Sequence, residues 1–195
     1  MKLRTIPISV EMRQYRILIL FILFTLQGNQ IALGQDVYKT SSGQVEFNAS
    51  TPLEDIRAVN KKVNVILKET GDLAVVLLVG EFEFRRKLMQ EHFNENYLES
   101  DTYPKSYFLG KIMEANLSAV DEKPVAIKIT GELSLHGIKK RVTVPGTILR
   151  NSAGILLKSS FIIRPEEYKV EIPSLMFKKI AREVEVNFSF QLPRQ

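Results

Sequence analysis

The stretch Glu183-Val184-Glu185-Val186-Asn187-Phe188-Ser189-Phe190-Gln191-Leu192 alternates without interruption. Val184, Val186, Phe188, Phe190 and Leu192 share one phase, and the polar residues share the other. Side chains of extended backbone point to opposite faces with a period of two, so this segment predicts a strand with one buried and one wet face. Pro193, which has no N–H to donate, ends the ladder.

Working outward, the same period recurs. Val45, Phe47 and Ala49 mark a first strand, and Val63, Val65 and Leu67 a second. Val76, Leu78, Phe82 and Phe84 are read as one face of a third, and Tyr107 to Leu117 as a weaker fourth. Val125, Ile127, Ile129, Leu133 and Leu135 give a fifth, Val142, Val144 and Ile148 a sixth, and Ile155, Leu157, Phe161 and Ile163 a seventh. Thr70-Gly71-Asp72, Asp121 to Pro124, His136-Gly137 and Asn151 to Gly154 carry turn chemistry between them. Eight short strands at this spacing predict an all-β protein, a sandwich or an antiparallel eight-stranded barrel. A barrel of that size is either filled by its side chains or holds one small ligand. Arg86 to Leu98 breaks the pattern, with Leu88, Met89, Phe93, Tyr97 and Leu98 at the spacing of one short amphipathic helix. Pro52 to Val59 reads as a turn or a short helix capped by Thr51, with Glu54 three residues on. Ser174 to Ala181 reads as a loop or helical turn over one barrel end.

The 195 residues suit one domain, 45% of them are hydrophobic, and there is no cysteine, which excludes disulfides and thiolate chemistry. Lys2, Arg4, Arg13 and Arg16 precede an apolar run from Ile17 to Leu26. That run is short for a membrane span and suits the core of a signal peptide. Ala32-Leu33-Gly34 offers small residues at a cleavage site, so residues 1–34 are expected to be a signal peptide and 35–195 the mature barrel domain, periplasmic or secreted. An uncleaved anchor is the alternative, and Met12 is an alternative start. The first 34 residues hold three of the chain's five net positive charges, which leaves +2 on the rest and no electrostatic case for nucleic acid.

Motifs for chemistry are sparse. Two histidines without a triad or ligand spacing predict neither catalysis nor a metal site. His92 reads as an exposed helix residue or as a polar contact at the mouth of a cavity; His136 reads as a turn-tip residue or the same kind of contact. Glu91, Glu95, Glu99 and Asp101 read as a solvated face. No phosphate loop and no nucleophile elbow is present. Phe47, Phe82, Phe84, Phe108, Phe161, Phe188 and Phe190 fall on inward phases and either fill a core or line a tunnel.

Three segments carry a resemblance. Leu88 to Ser100 leads into Tyr103-Pro104-Lys105 and Phe108-Leu109-Gly110. Ile129-Thr130-Gly131-Glu132-Leu133-Ser134-Leu135-His136-Gly137-Ile138-Lys139-Lys140-Arg141-Val142 follows. Phe161, Tyr168, Ile172 and Pro173 precede the closing strand. In order and spacing these resemble the YceI-like family over Gly43 to Leu192. The amino-terminal histidine and glycine-phenylalanine motif usual in that family are not kept between Ser42 and Val65. The resemblance implies a lipocalin-like barrel, exported, holding an apolar lipid such as a polyisoprenoid. It implies no enzyme and no cofactor. A filled barrel with a structural or envelope-stress role is the alternative, an enzyme acting on a hydrophobic substrate through His92 or His136 is a further one, and a homodimer is an open expectation.

Overall fold

The computed structural model describes residues 36–113, 116–176 and 178–195. The expected signal peptide, its cleavage site and both candidate starts lie outside the described residues. Among the described residues nine strands are present: β1 (Val37–Asn48), β2 (Arg57–Lys68), β3 (Asp72–Leu78), β4 (Glu83–Phe84), β5 (Lys105–Met113), β6 (Val125–Leu135), β7 (Ile138–Asn151), β8 (Gly154–Ile163) and β9 (Val184–Leu192). Eight of them pair antiparallel in the ring β1-β2-β3-β5-β6-β7-β8-β9, and β1 closes it by pairing with both β2 and β9. Closure gives every strand of the ring a partner on both sides. The two-residue β4 pairs with the start of β2, Ala58 with Phe84. The helix is one short element, α1 (Lys87–His92), continued by a π turn over Phe93–Tyr97.

The closing strand carries the alternation read from its sequence. Phe188 lies opposite Val45 and Ser159, and Phe190 opposite Leu157. The third strand differs from its reading. Leu73, Val75 and Leu77 face inward, and Leu78 is exposed. The strand is apolar on both faces, so parity does not reveal itself locally. A 3-10 turn at Val79–Glu81 then shifts the phase and brings Phe82 and Phe84 inward. Val125, placed on the inner face from its sequence, is exposed at the start of β6. Thr51 to Glu54 forms a tight turn and no helix: Thr51 and Glu54 exchange backbone hydrogen bonds, and the Glu54 carboxylate pairs with Arg86.

The barrel has a solid half and a hollow half. Around the solid end Tyr38, Val63, Val65, Leu67, Ile148, Ile155, Leu157 and Leu192 are fully buried. Leu117 plugs this end, pinned by the Arg150 guanidinium. That group donates to the carbonyls of Val120 and Leu117 at 3.2 and 2.9 Å and to the Tyr38 hydroxyl at 2.8 Å. Its charge is thereby met by oriented dipoles, which strengthens each bond. A second polar group, Asn60, is completely buried near the other end. Its amide donates to the Leu78 carbonyl and its oxygen accepts from the Lys62 N–H, both at 2.9 Å. This joins β2 to the end of β3, past the point where their ladder stops at Asn64 and Val76.

Toward the hollow end the wall opens between β7 and β8. Their ladder runs only from Thr147–Lys158 to Asn151–Gly154, while β7 pairs with β6 along its whole approach to the tip. Pro145 interrupts β7 where the two part, because it has no N–H for the ladder. The Ser159 hydroxyl donates to the Pro145 carbonyl at 2.5 Å. Above that point Pro165, Val170 and Ile172 supply the missing wall. Lys140 pairs with Glu167 at 3.0 Å to hold their segment against β7.

Candidate functional site

The hollow half encloses an apolar cavity of about 480 Å³. Its volume falls in the range of small-molecule pockets. All seven phenylalanines singled out from the sequence line it, six of them in two groups with Phe108 apart. Phe47 meets Phe82, Phe84 and Phe93 at centroid distances of 5.2, 5.6 and 5.3 Å. Phe188 stacks on Phe190 at 4.5 Å and meets Phe161 edge-on at 6.5 Å. The rings therefore pack along the walls and leave the centre open, which the filled-barrel alternative does not produce.

Phe108 keeps its place through two glycines. Gly110 and Gly131 lie opposite each other on β5 and β6. A Cβ on Gly110 would come within 2.5 Å of Phe108 Cζ, and one on Gly131 within 2.6 Å. The ring thus lies flat over a strip of bare backbone, a site that only glycine leaves open.

Phe93 was not among the sequence candidates. It enters through the π turn after α1 and stacks on Phe47. The signal was present in the helix spacing, where Met89, Phe93 and Tyr97 recur every four residues, and all three line the cavity. Tyr97 brings a phenol into this apolar wall, and burial pushes its pKa above the usual 10.0. Ser106 and Tyr107 also line the cavity, and Ser106 spends its hydroxyl on the Ser134 carbonyl at 2.9 Å.

The mouth lies where lining residues reach solvent. Glu54, Arg86, Leu88, His92 and Lys179 line the cavity there. The turn at Thr51–Glu54 ties the frame together. Its Thr51 hydroxyl donates to the Lys178 carbonyl at 2.9 Å, and its Glu54 pairs with Arg86. His92 is exposed on this rim, in keeping with either of its two sequence readings.

His136 corrects the expectation of a mouth contact. It sits in the two-residue β6–β7 turn with a positive φ of 50°, followed by Gly137 at 73°, the pairing a type I′ hairpin requires. The ring is buried and does not line the cavity. Nδ1 lies 3.1 Å from the Tyr168 carbonyl, and the Tyr103 ring packs edge-on at 4.4 Å. The segment after Arg164 folds over the turn and covers it, a long-range event that turn chemistry does not foretell. Nε2 has no hydrogen-bond partner among the described residues, and the Glu99 carboxylate stands 3.7 Å away. Among the described residues no group of three or more His, Asp or Glu could hold a metal ion.

The model of the YceI-like domain family matches residues 33–192. The solved structure of a polyisoprenoid binding domain from Saccharophagus degradans, implicated in plant cell wall breakdown, is similar with a TM-score of 0.70 at 14% identity, covering 83% of this chain and 98% of that one. BcnA of Burkholderia cenocepacia is similar with a TM-score of 0.63 at 20% identity, covering 77% of this chain and 94% of that one. The YCEI protein of Campylobacter jejuni gives 0.52 at 14% identity, covering 67% and 78%. These likenesses show the closed eight-stranded barrel they share. No curated protein matches the sequence.

Proposed function

Because the chain belongs to the YceI-like family, we propose that it is a non-enzymatic binding protein that takes a long apolar lipid of the isoprenoid type into the hollow half of its barrel. The observation that carries this reading is the continuous apolar cavity, backed by the packed core of the solid half and bordered by charged side chains only at its mouth. An extended hydrocarbon has no polar group to satisfy, so such walls can bury it without penalty, at about 0.8 kcal/mol gained per methylene. The polyisoprenoid-binding description of the Saccharophagus degradans domain supports the isoprenoid class.

The phenylalanines are the tail-contacting surface in this reading, and His92 is a rim contact for the polar end of the lipid. Export completes it, with residues 1–34 removed as a signal peptide and the barrel released into the periplasm or medium. A homodimer would use the outward apolar row of β2, β3 and β5, where Ile66 and Leu109 are exposed on either side of Ala74. Light scattering that shows only monomer at rising concentration removes that part.

The central test is solvent extraction of the purified protein followed by mass spectrometry. A co-purifying isoprenoid lipid is expected. Absence of lipid, together with no uptake of added quinone or prenyl phosphate, overturns the reading. A companion variant is Val186→Trp, placed between Phe47 and Phe161 on the neighbouring strands. An indole there excludes the space of roughly two methylenes, so tail affinity falls about tenfold or more while the fold signal is kept.

A further inference from the structure

Three leucines stand in water around the mouth. Leu53 is 68% exposed, Leu88 61% and Leu175 89%. Each belongs to a different segment of the rim. Leu53 precedes the lining residue Glu54, Leu88 is itself a lining residue on α1, and Leu175 precedes the lining residue Met176. The three segments are joined by the Thr51–Lys178 and Glu54–Arg86 contacts. Isolated exposed leucines need no explanation, but three converging on one opening do.

The charges beside them are not evenly spread. Arg85 and Lys87 precede Leu88, and Lys178 and Lys179 follow Leu175; none of these four has an ion-pair partner among the described residues. By contrast the charges of the Leu53 turn neutralise one another, Asp55 with Arg57 and Glu54 with Arg86. Two exposed acids share these segments, Glu91 three residues after Leu88 and Glu171 four before Leu175, so the four cations outnumber them two to one; Glu99 faces His136 at the β6–β7 turn, and Glu167 pairs with Lys140 on β7. Exposed leucines with unpaired cations beside them are the composition of a surface that lies in a membrane interface. The apolar tips enter the headgroup boundary and the cations meet anionic lipid.

We propose that the mouth is a membrane-docking surface, which seats the leucine and lysine arc of the rim on a bilayer containing anionic phospholipid and so presents the cavity directly to the lipid it loads. This rests on the reading of the cavity as a lipid site. The barrel docks with α1 and the Ser174–Met176 turn, which carry or adjoin the unpaired cations, lowest.

The chain has no cysteine, so a single one can carry an environment-sensitive fluorophore. Leu175→Cys places it at the mouth, and Ser152→Cys at the β7–β8 turn of the solid end. With vesicles of phosphatidylcholine and phosphatidylglycerol, the label at 175 is expected to shift to the blue and be quenched by lipid-borne quenchers, while the label at 152 stays in water. Raising salt or omitting phosphatidylglycerol reduces the shift several-fold. The combined Leu53→Ser, Leu88→Ser and Leu175→Ser substitutions weaken partition about tenfold or more in the full chain, each partner in the comparison sharing the same first 34 residues. Both labels remaining in water overturns the proposal. So does a blue shift at 175 that needs no vesicles and follows protein concentration, which assigns the patch to a second copy. Uptake of detergent-dispersed lipid is measured separately. A protein that takes up lipid there but leaves both labels in water fails this inference alone, and one that docks but takes up no lipid fails the proposed function.

Discussion

Arg150 does at one residue what a disulfide does elsewhere, holding the plug to the barrel wall. Its side chain satisfies two carbonyls and one hydroxyl and lies against the Tyr38 ring. In Arg150→Met the apolar stem is kept while the three acceptors lose their donor. Destabilisation of about 2–4 kcal/mol is expected, read as a lower midpoint in urea with an unchanged slope. Asn60→Leu poses the same problem at the other end, stranding the Leu78 carbonyl and the Lys62 N–H, with about 1–3 kcal/mol lost. Gly137→Ala is strained on two counts: its φ is 73°, and the new Cβ would stand 2.7 Å from the Tyr103 ring. Since a side chain at positive φ costs roughly 1–2 kcal/mol, the variant is expected to unfold at lower denaturant and to release Tyr103 from His136, visible as a change in tyrosine fluorescence.

At the scale of the element, alternation made most of the barrel legible. β9, β6 and β8 keep the inner faces read from Phe188 and Phe190, Ile129 and Leu133, and Leu157 and Phe161. β3 did not show its face, since Leu73 to Val79 is apolar on both sides and the 3-10 turn that resets the phase has no composition of its own. The division between solid and hollow halves was illegible for a similar reason. Ile129 and Ile127 are two residues apart on one strand face, yet the first lines the cavity and the second packs in the solid half. Residue type does not record depth along a barrel axis. Gly110 and Gly131 show what a strand can encode instead. Gly131→Ala drives its Cβ into the Phe108 ring and the facing backbone, so the ring must swing toward the cavity. About 1–3 kcal/mol of stability is expected to go, and the longest ligand accommodated becomes shorter, measured by mass spectrometry across a chain-length series.

For the whole molecule, the alkaline limb of stability follows from buried phenols. Burial raises the pKa of Tyr97 and Tyr168 above 10.0, so the unfolded chain ionises first as pH rises. Their contribution is fully present below that value and is lost above it, so denaturant midpoints should fall as the pH rises past 10.0. Tyr107 opposes this, because its hydrogen bond to Lys139 lowers its pKa, and Tyr107→Phe should steepen the fall. The plug held by Arg150 has a kinetic counterpart. A vessel with one opening exchanges its contents only by emptying before it refills. Under the proposed function two lipids would compete with strict mutual exclusion, an incoming molecule could not push out a resident one from behind, and the rate of replacement would be capped by the resident's own departure however much competitor is added. A lipid-loaded barrel of this kind would serve as a carrier between stations and never as a conduit.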